Sequence, residues 1–254
     1  MGKIRKPFQG VFNIVRFNWH FYALSLGVLL LLAVLYNFLN EPFRLISAVL
    51  FFGIILANFI TLFVSFYVYD LSNLYKLDWL NDLPIEENAR IVNINAGFDE
   101  TSELLKDKFK DARLVVFDFY DSKKHTEVSI ERARKAYAPY SNTRQMATDC
   151  LPLADNSADK VFAILSAHEI RNDEERKLFF AEIKRALKTD GQIIVTEHLR
   201  DTANFLAYNI GFFHFHSKRA WLKTFASAEL KVKKEIKITP FITTFILEKN
   251  GVSS

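Results

Sequence analysis

The sequence predicts an α/β domain with a mainly parallel sheet and helices on both faces, preceded by a hairpin of two transmembrane helices. Three observations carry this reading. Two long stretches near the N-terminus hold no charge, strand and helix patterns alternate after residue 85, and the last two strands are joined by a very short turn.

Residues 17–40 are 24 positions without Asp, Glu, Lys or Arg, and residues 45–69 are 25 more. A bilayer core needs about 20 apolar residues of helix, so both runs suffice. Glu41-Pro42-Phe43-Arg44 separates them, and proline there suits a turn that stops the first helix. The helices are expected at about 19–39 and 43–69. Trp19, Phe21, Tyr22, Tyr67 and Tyr69 form a candidate interfacial belt, with His20 beside it, and Gly53 and Ala57 are spaced to let the helices approach closely. Lys3, Arg5, Lys6 and Arg16 precede the first run with no acid among them. The positive-inside bias then puts residues 1–70 into a plasma or inner membrane with the N-terminus cytoplasmic, and two crossings return the rest to that side. A signal peptide would have a shorter apolar core and a small-residue cleavage site, which the 35–39 stretch lacks. Residues 71–84 read as an amphipathic juxtamembrane linker helix, lying on the bilayer or packing on the domain that follows, 85–254.

Composition excludes several classes. Half of the residues are apolar and 15% aromatic, with mean hydropathy +0.05, so the chain is not disordered. A single cysteine, Cys150, excludes an intramolecular disulfide. Residues 75–254 hold 28 of the 33 basic and 27 of the 29 acidic residues, a net of +1, so the domain lacks the electrostatic footprint of a nucleic-acid binder. Eight glycines, none close to another, cannot form a P-loop or dinucleotide fingerprint, which disfavours a nucleotide-dependent oxidoreductase.

Strands are expected at 90–96, 114–119, 144–148, 160–166, 192–197, 230–238 and 241–248. Helices are expected at 99–109, 122–138 and 173–187, and from a Ser217 cap to 228. In such sheets ligands sit beyond the carboxyl ends of the strands. Asn95, Gly97 and Asp99 follow the first strand, Asp118 the second, Asp149 the third, His168 and Glu169 the fourth, and Glu197, His198, Arg200 and Asp201 the fifth. Gly97 lets a ligand approach the backbone, and a carboxylate 21 residues later suits a ribose diol.

The run Asp149-Cys-Leu-Pro-Leu-Ala-Asp-Asn-Ser-Ala-Asp159 resembles a segment of class I S-adenosylmethionine-dependent methyltransferases, in the branch with the ubiquinone and menaquinone methyltransferases. Glu182-Ile183-Lys184-Arg185-Ala186-Leu187 and the following Lys188-Thr189-Asp190-Gly191 resemble its E-h-x-R-v-L helix and L-K-P-G-G turn. The resemblance covers about 85–250. It implies a Rossmann-like seven-stranded methyltransferase sheet with the last strand antiparallel, and S-adenosylmethionine as cofactor. Asp118 would hold the ribose, Asp149 the adenine amino group, and loop 95–99 the methionine portion. Where the family's loop reads D-x-G-x-G-x-G, this chain has Asn93, Asn95, Gly97 and Asp99. Asp99 either restores charge there or caps the next helix.

Methyl transfer needs an aligned nucleophile and, for some acceptors, a base; His168, Glu169 and His198 are the candidates, in a reacting or a supporting role. Arg200 and Asp201 pair with each other or hold an anionic substrate group. His214 and His216 raise a metal reading, but alternate residues point together only on a strand, and no metal is expected. The aromatic segment 204–215 is either an apolar lid over the site or a helix and loop filling the sheet face. With the anchor, these readings give a methyltransferase for a lipophilic acceptor at the bilayer. The second reading is a silent methyltransferase fold serving as a membrane scaffold or lipid-binding module.

Overall fold

The structure is a computed structural model and describes residues 5–251, so Lys3 lies outside the described residues. Helices α2 (Trp19–Tyr36) and α3 (Phe43–Phe66) form the hairpin. Both are long and apolar enough to cross a membrane, with hydropathies of 1.9 and 2.4, and hardly any of their surface is buried within the chain. Polar side chains join them: Asn58 Nδ2 donates to Ser25 Oγ at 2.6 Å and Ser47 Oγ to the Leu32 carbonyl at 3.0 Å. Gly53 does not serve their approach; a Cβ there would meet nothing within 4 Å.

Seven strands follow: β1 (Arg90–Asn95), β2 (Arg113–Asp118), β3 (Arg144–Gln145), β4 (Ala158–Ile164), β5 (Leu187–His198), β6 (Leu230–Thr239) and β7 (Ile242–Lys249). They lie in the order β3-β2-β1-β4-β5-β7-β6; β7 runs antiparallel to β5 and β6, and the other pairings are parallel. The order reverses between β1 and β4, where open α/β sheets bind ligands. Central strands covered on both faces read as apolar runs. Helices α6 (Asp173–Ala186) and α8 (Lys218–Ser227) cover one face with Phe179, Phe180, Ile183, Trp221 and Phe225. Asn172 and Ser217 cap them as N-caps do, the latter as expected. Helix α4 (Ser102–Lys108) lies on the opposite face, and α5 (Val128–Ala136) follows β2.

Several elements differ from the sequence reading. Residues 71–84 are not a linker helix: Leu71 ends a π-helical turn, Tyr67–Leu71, and turns with one 3₁₀ turn, Asp78–Leu80, follow, with Leu74, Leu77 and Leu80 buried against the domain. Tyr69 leaves the interfacial belt to hydrogen-bond His198, and His20 lies 2.8 Å from Arg132 of α5. Residues 187–191 are absorbed into β5. One helix escaped the reading, α1 (Gln9–Phe17), and the helix allowed for in the 204–215 segment is α7 (Thr202–Tyr208). Helix α1 sits on the domain. Asp70 accepts from the Gly10 and Val11 amides at 2.8 and 2.9 Å, Tyr137 donates to Asn13, and Arg5 pairs with Glu100 at 2.6 Å.

Candidate active site

The loop after β1 is built on side-chain hydrogen bonds in place of glycines. Asn95 Oδ1 accepts from the Gly97 amide at 3.0 Å, closing a tight turn with Gly97 at φ +89°. Asp99 Oδ1 accepts from the Thr101 and Ser102 amides, both at 2.9 Å, so it caps the start of α4. Asn93 donates to the hydroxyls of Thr101 and Ser102. Three atoms here are buried without a partner: Asn93 Oδ1, Asn95 Nδ2 and Asp99 Oδ2. Phe98 packs against Phe17 of α1 and Tyr137, so α1 roofs this loop.

Asp118 ends β2 with its carboxylate buried. Oδ1 accepts from the Tyr120 amide, and Oδ2 from Gln145 Nε2 at 3.0 Å and from Arg134 of α5. The Arg134 guanidinium occupies the space beside Gly97, where an added Cβ would lie 2.6 Å from its Nη1. A cleft of about 390 Å³ opens here, lined by Tyr120, Thr126, Glu127 and Arg134 among others. Asp149 is exposed on the turn after β3.

His168 and Glu169 form a 3₁₀ turn beyond β4. His168 Nδ1 lies 2.6 Å from Glu197 of β5, and its Nε2 3.3 Å from Glu169 Oε1. Burial pulls the His168 ring down, but the two carboxylates outweigh it and raise the pKa to about 10. Burial likewise disfavours the Glu169 anion, yet His168 and His214 hold it below the usual carboxylate range. His198 is sealed, with Nε2 2.8 Å from the Tyr69 hydroxyl, Nδ1 2.9 Å from Asn204, and its ring stacked on Phe215. Burial pushes its pKa down to about 3, so it is neutral at physiological pH.

Arg200 and Asp201 do not pair: Arg200 donates to the Phe213 carbonyl, and Asp201 caps α7 through the Asn204 amide. His214 and His216 diverge. His216 lies against Arg176 and Trp221, whereas His214 joins His168 and Glu169, a grouping the sequence reading missed. Segment 204–215 is helix and 3₁₀ turn that partly fills the sheet end. Asn204, Ala207 and Phe215 are buried, while Phe205, Leu206, Ile210 and Phe213 face outward.

The family described as methyltransferase domain matches residues 92–195. No curated protein matches the chain by sequence. Among solved structures, an S-adenosylmethionine-dependent methyltransferase from Aquifex aeolicus is similar at TM-score 0.50 and 15% identity, over 75% of this chain and 97% of its own. The PH0226 protein from Pyrococcus horikoshii OT3 gives 0.52 and 16%, over 70% and 90%. A chain from the Haloferax volcanii complex containing the Trm112 methyltransferase activator gives 0.51 and 16%, also over 70% and 90%. These likenesses show the Rossmann-like class I methyltransferase fold.

The residues at these strand ends fit the cofactor of class I methyltransferases. Two orphaned acceptors and one orphaned donor on loop 93–99 match the ammonium and carboxylate of a methionine moiety, and Asp118 offers a buried carboxylate to a diol. The obstruction is Arg134, a long side chain at the cleft wall, one-third exposed, that pairs with Asp118 and lies over the Tyr120 ring.

Proposed function

We propose that this chain is a membrane-anchored methyltransferase that uses S-adenosylmethionine to methylate a small lipophilic acceptor. The cofactor supplies a methyl group already activated as a sulfonium. The chain's own residues bind and orient: Asp118 the ribose hydroxyls, Asp149 the adenine amino group, and Asn93, Asn95 and Asp99 the methionine end. Of the three candidate bases, His198 is closed off by Tyr69 and Asn204, which leaves it a positioning role. His168 is held protonated by Glu197 and Glu169, so it and its partner Glu169 position groups beside the cleft, joined to it through His214 and Glu127, and the transfer rests on alignment of the acceptor.

One observation supports the acceptor class. The segment over the β5 end exposes Leu206 at 64% and Ile210 at 75%, and is fastened to α3 by Thr61 Oγ1 donating to the Ala207 carbonyl at 2.8 Å. An apolar strip continuous with a membrane helix gives a lipid-soluble molecule a route from the bilayer to the strand ends. The hairpin crosses the membrane, with the N-terminus and the domain on the cytoplasmic face.

The contact between Arg134 and Asp118 favours a second reading, a silent fold acting as a membrane scaffold, because it occupies the ribose carboxylate. Calorimetry of the full chain in detergent with S-adenosylmethionine separates the two. Micromolar binding with labelled methyl transfer to an extracted lipid fraction supports the enzyme. Millimolar or absent binding supports the scaffold, and binding without transfer to any lipid fraction removes the lipophilic acceptor.

A further inference from the structure

The richest cluster of metal-ligating groups among the described residues lies beyond the β4 and β5 ends. His168 and Glu169 come from the 3₁₀ turn after β4, and His214 from the end of the turn after α7, 45 residues later. One ligand atom from each lies within 4.8 Å of the others. Both imidazoles aim Nε2 at one oxygen, Glu169 Oε1, at 3.3 Å each. A charge-assisted N–H···O bond closes to about 2.7–2.9 Å, so these contacts are long for hydrogen bonds. They match the edge of a tetrahedron whose corners lie about 2.0–2.1 Å from a central zinc ion, about 3.3 Å.

Two further observations point the same way. Each ring has its other nitrogen held by a separate carboxylate, His168 Nδ1 by Glu197 at 2.6 Å and His214 Nδ1 by Glu127 at 3.0 Å. Metal-bound histidines are oriented in this manner, because a carboxylate on Nδ1 fixes the tautomer that leaves the Nε2 lone pair free. Glu169 Oε2 is buried with no hydrogen-bond partner, although the residue is only 3% exposed. An orphaned carboxylate oxygen in such a place is explained by a cation. Arg171 buttresses the loop by donating to the carbonyls of Phe213 and His214.

We propose that His168, Glu169 and His214 bind a divalent transition-metal ion, zinc by preference, with Glu197 and Glu127 orienting the two histidines. Two imidazoles and one carboxylate suit zinc and iron(II) better than magnesium or calcium, which take oxygen ligands. Three protein ligands leave a position open, as in catalytic zinc sites. Glu127 belongs both to the cluster and to the cleft wall, so that position opens toward the cleft and takes an oxygen or thiol of a small molecule. Metal binding stands apart from the methyltransferase reading and does not require methyl transfer.

The test uses the full chain in detergent, incubated with a tenfold excess of zinc(II), or of iron(II) or manganese(II) under anaerobic conditions, then desalted and measured for metal. About one equivalent of zinc or iron is expected, with at least tenfold less in Glu169→Gln and in His214→Ala. Cys150→Ser, which removes the exposed thiol, should retain it. Cobalt(II) gives a readout on the unmodified protein: tetrahedral binding produces intense visible bands, absent in His214→Ala. Thermal melts of the metal-free variants confirm that they are folded. Wild-type protein carrying no metal above background, or metal retained in both ligand variants, overturns the proposal.

Discussion

In the proposed cofactor site Arg134 would compete with S-adenosylmethionine for Asp118, with which it pairs, and that competition sets an order among variants. Arg134→Ala frees the carboxylate and the space beside Gly97, so S-adenosylmethionine should bind several-fold tighter in calorimetry. Asp118→Asn keeps the shape but removes a charged acceptor; hydrogen bonds to charged groups are worth about 1.5–3 kcal/mol, about a 10–100-fold loss of affinity. Tighter binding by Asp118→Asn would show that the carboxylate serves only its arginine. Asp118 was legible in the sequence because a strand end and a fixed spacing from Gly97 single it out. Arg134 was not, because its reach to Asp118 depends on how α5 is laid across the strand ends. His214 stayed hidden for a related reason: its partners are 45 residues away, and local spacing pointed to His216 instead.

At the scale of elements, the alternation of patterns exposed the sheet and its covering helices, since buried strands and amphipathic helices write their periods into the sequence. Helix α1 left no comparable trace. It is nine residues long and held by distant groups, above all Asp70 at its first turn. Its fit is close: a Cβ on Gly10 would lie 2.4 Å from Tyr69 Cβ. Gly10→Ala should therefore push α1 off the domain and lower the thermal midpoint, with faster proteolysis between residues 5 and 18; an unchanged midpoint would mean that α1 carries no stability. The end of β5 makes a separate prediction. His198 is buried and neutral, with its pKa pushed from 6.5 down to about 3. The unfolded chain takes up the proton first, so this contribution to stability is complete above about pH 6.5 and is lost as pH falls toward 3, at up to about 1.4 kcal/mol per pH unit. Replacing it by glutamine should flatten the decline of the thermal midpoint between pH 7 and 5, and an equally steep decline would assign the acid sensitivity elsewhere.

For the whole molecule, the decisive fact is that α1 precedes the hairpin and the domain follows it, yet the two are in contact. Arg5 pairs with Glu100 across 95 residues, and the Tyr137 hydroxyl donates to Asn13 across 124. Both ends of the hairpin must then lie on one side of any membrane it enters, which requires an even number of crossings. The helices have the length for it. At 1.5 Å per residue, α2 spans about 27 Å and α3 about 36 Å, against a hydrocarbon core of about 30 Å. Their outward faces are Leu, Ile, Val and Phe, surface that water would leave costly and lipid would not. Single-cysteine labelling in oriented vesicles tests the arrangement, because the chain has one native cysteine, exposed on the domain. Phe12→Cys in a Cys150→Ser background marks α1, and Asn40→Cys in the same background marks the turn between the helices. Cys150 and Phe12→Cys should react from one side with an impermeant maleimide, and Asn40→Cys only from the other. Reaction of all three from the same side would mean that the hairpin lies against the bilayer without crossing it, and the route proposed for a lipophilic acceptor would then have to run along the membrane surface.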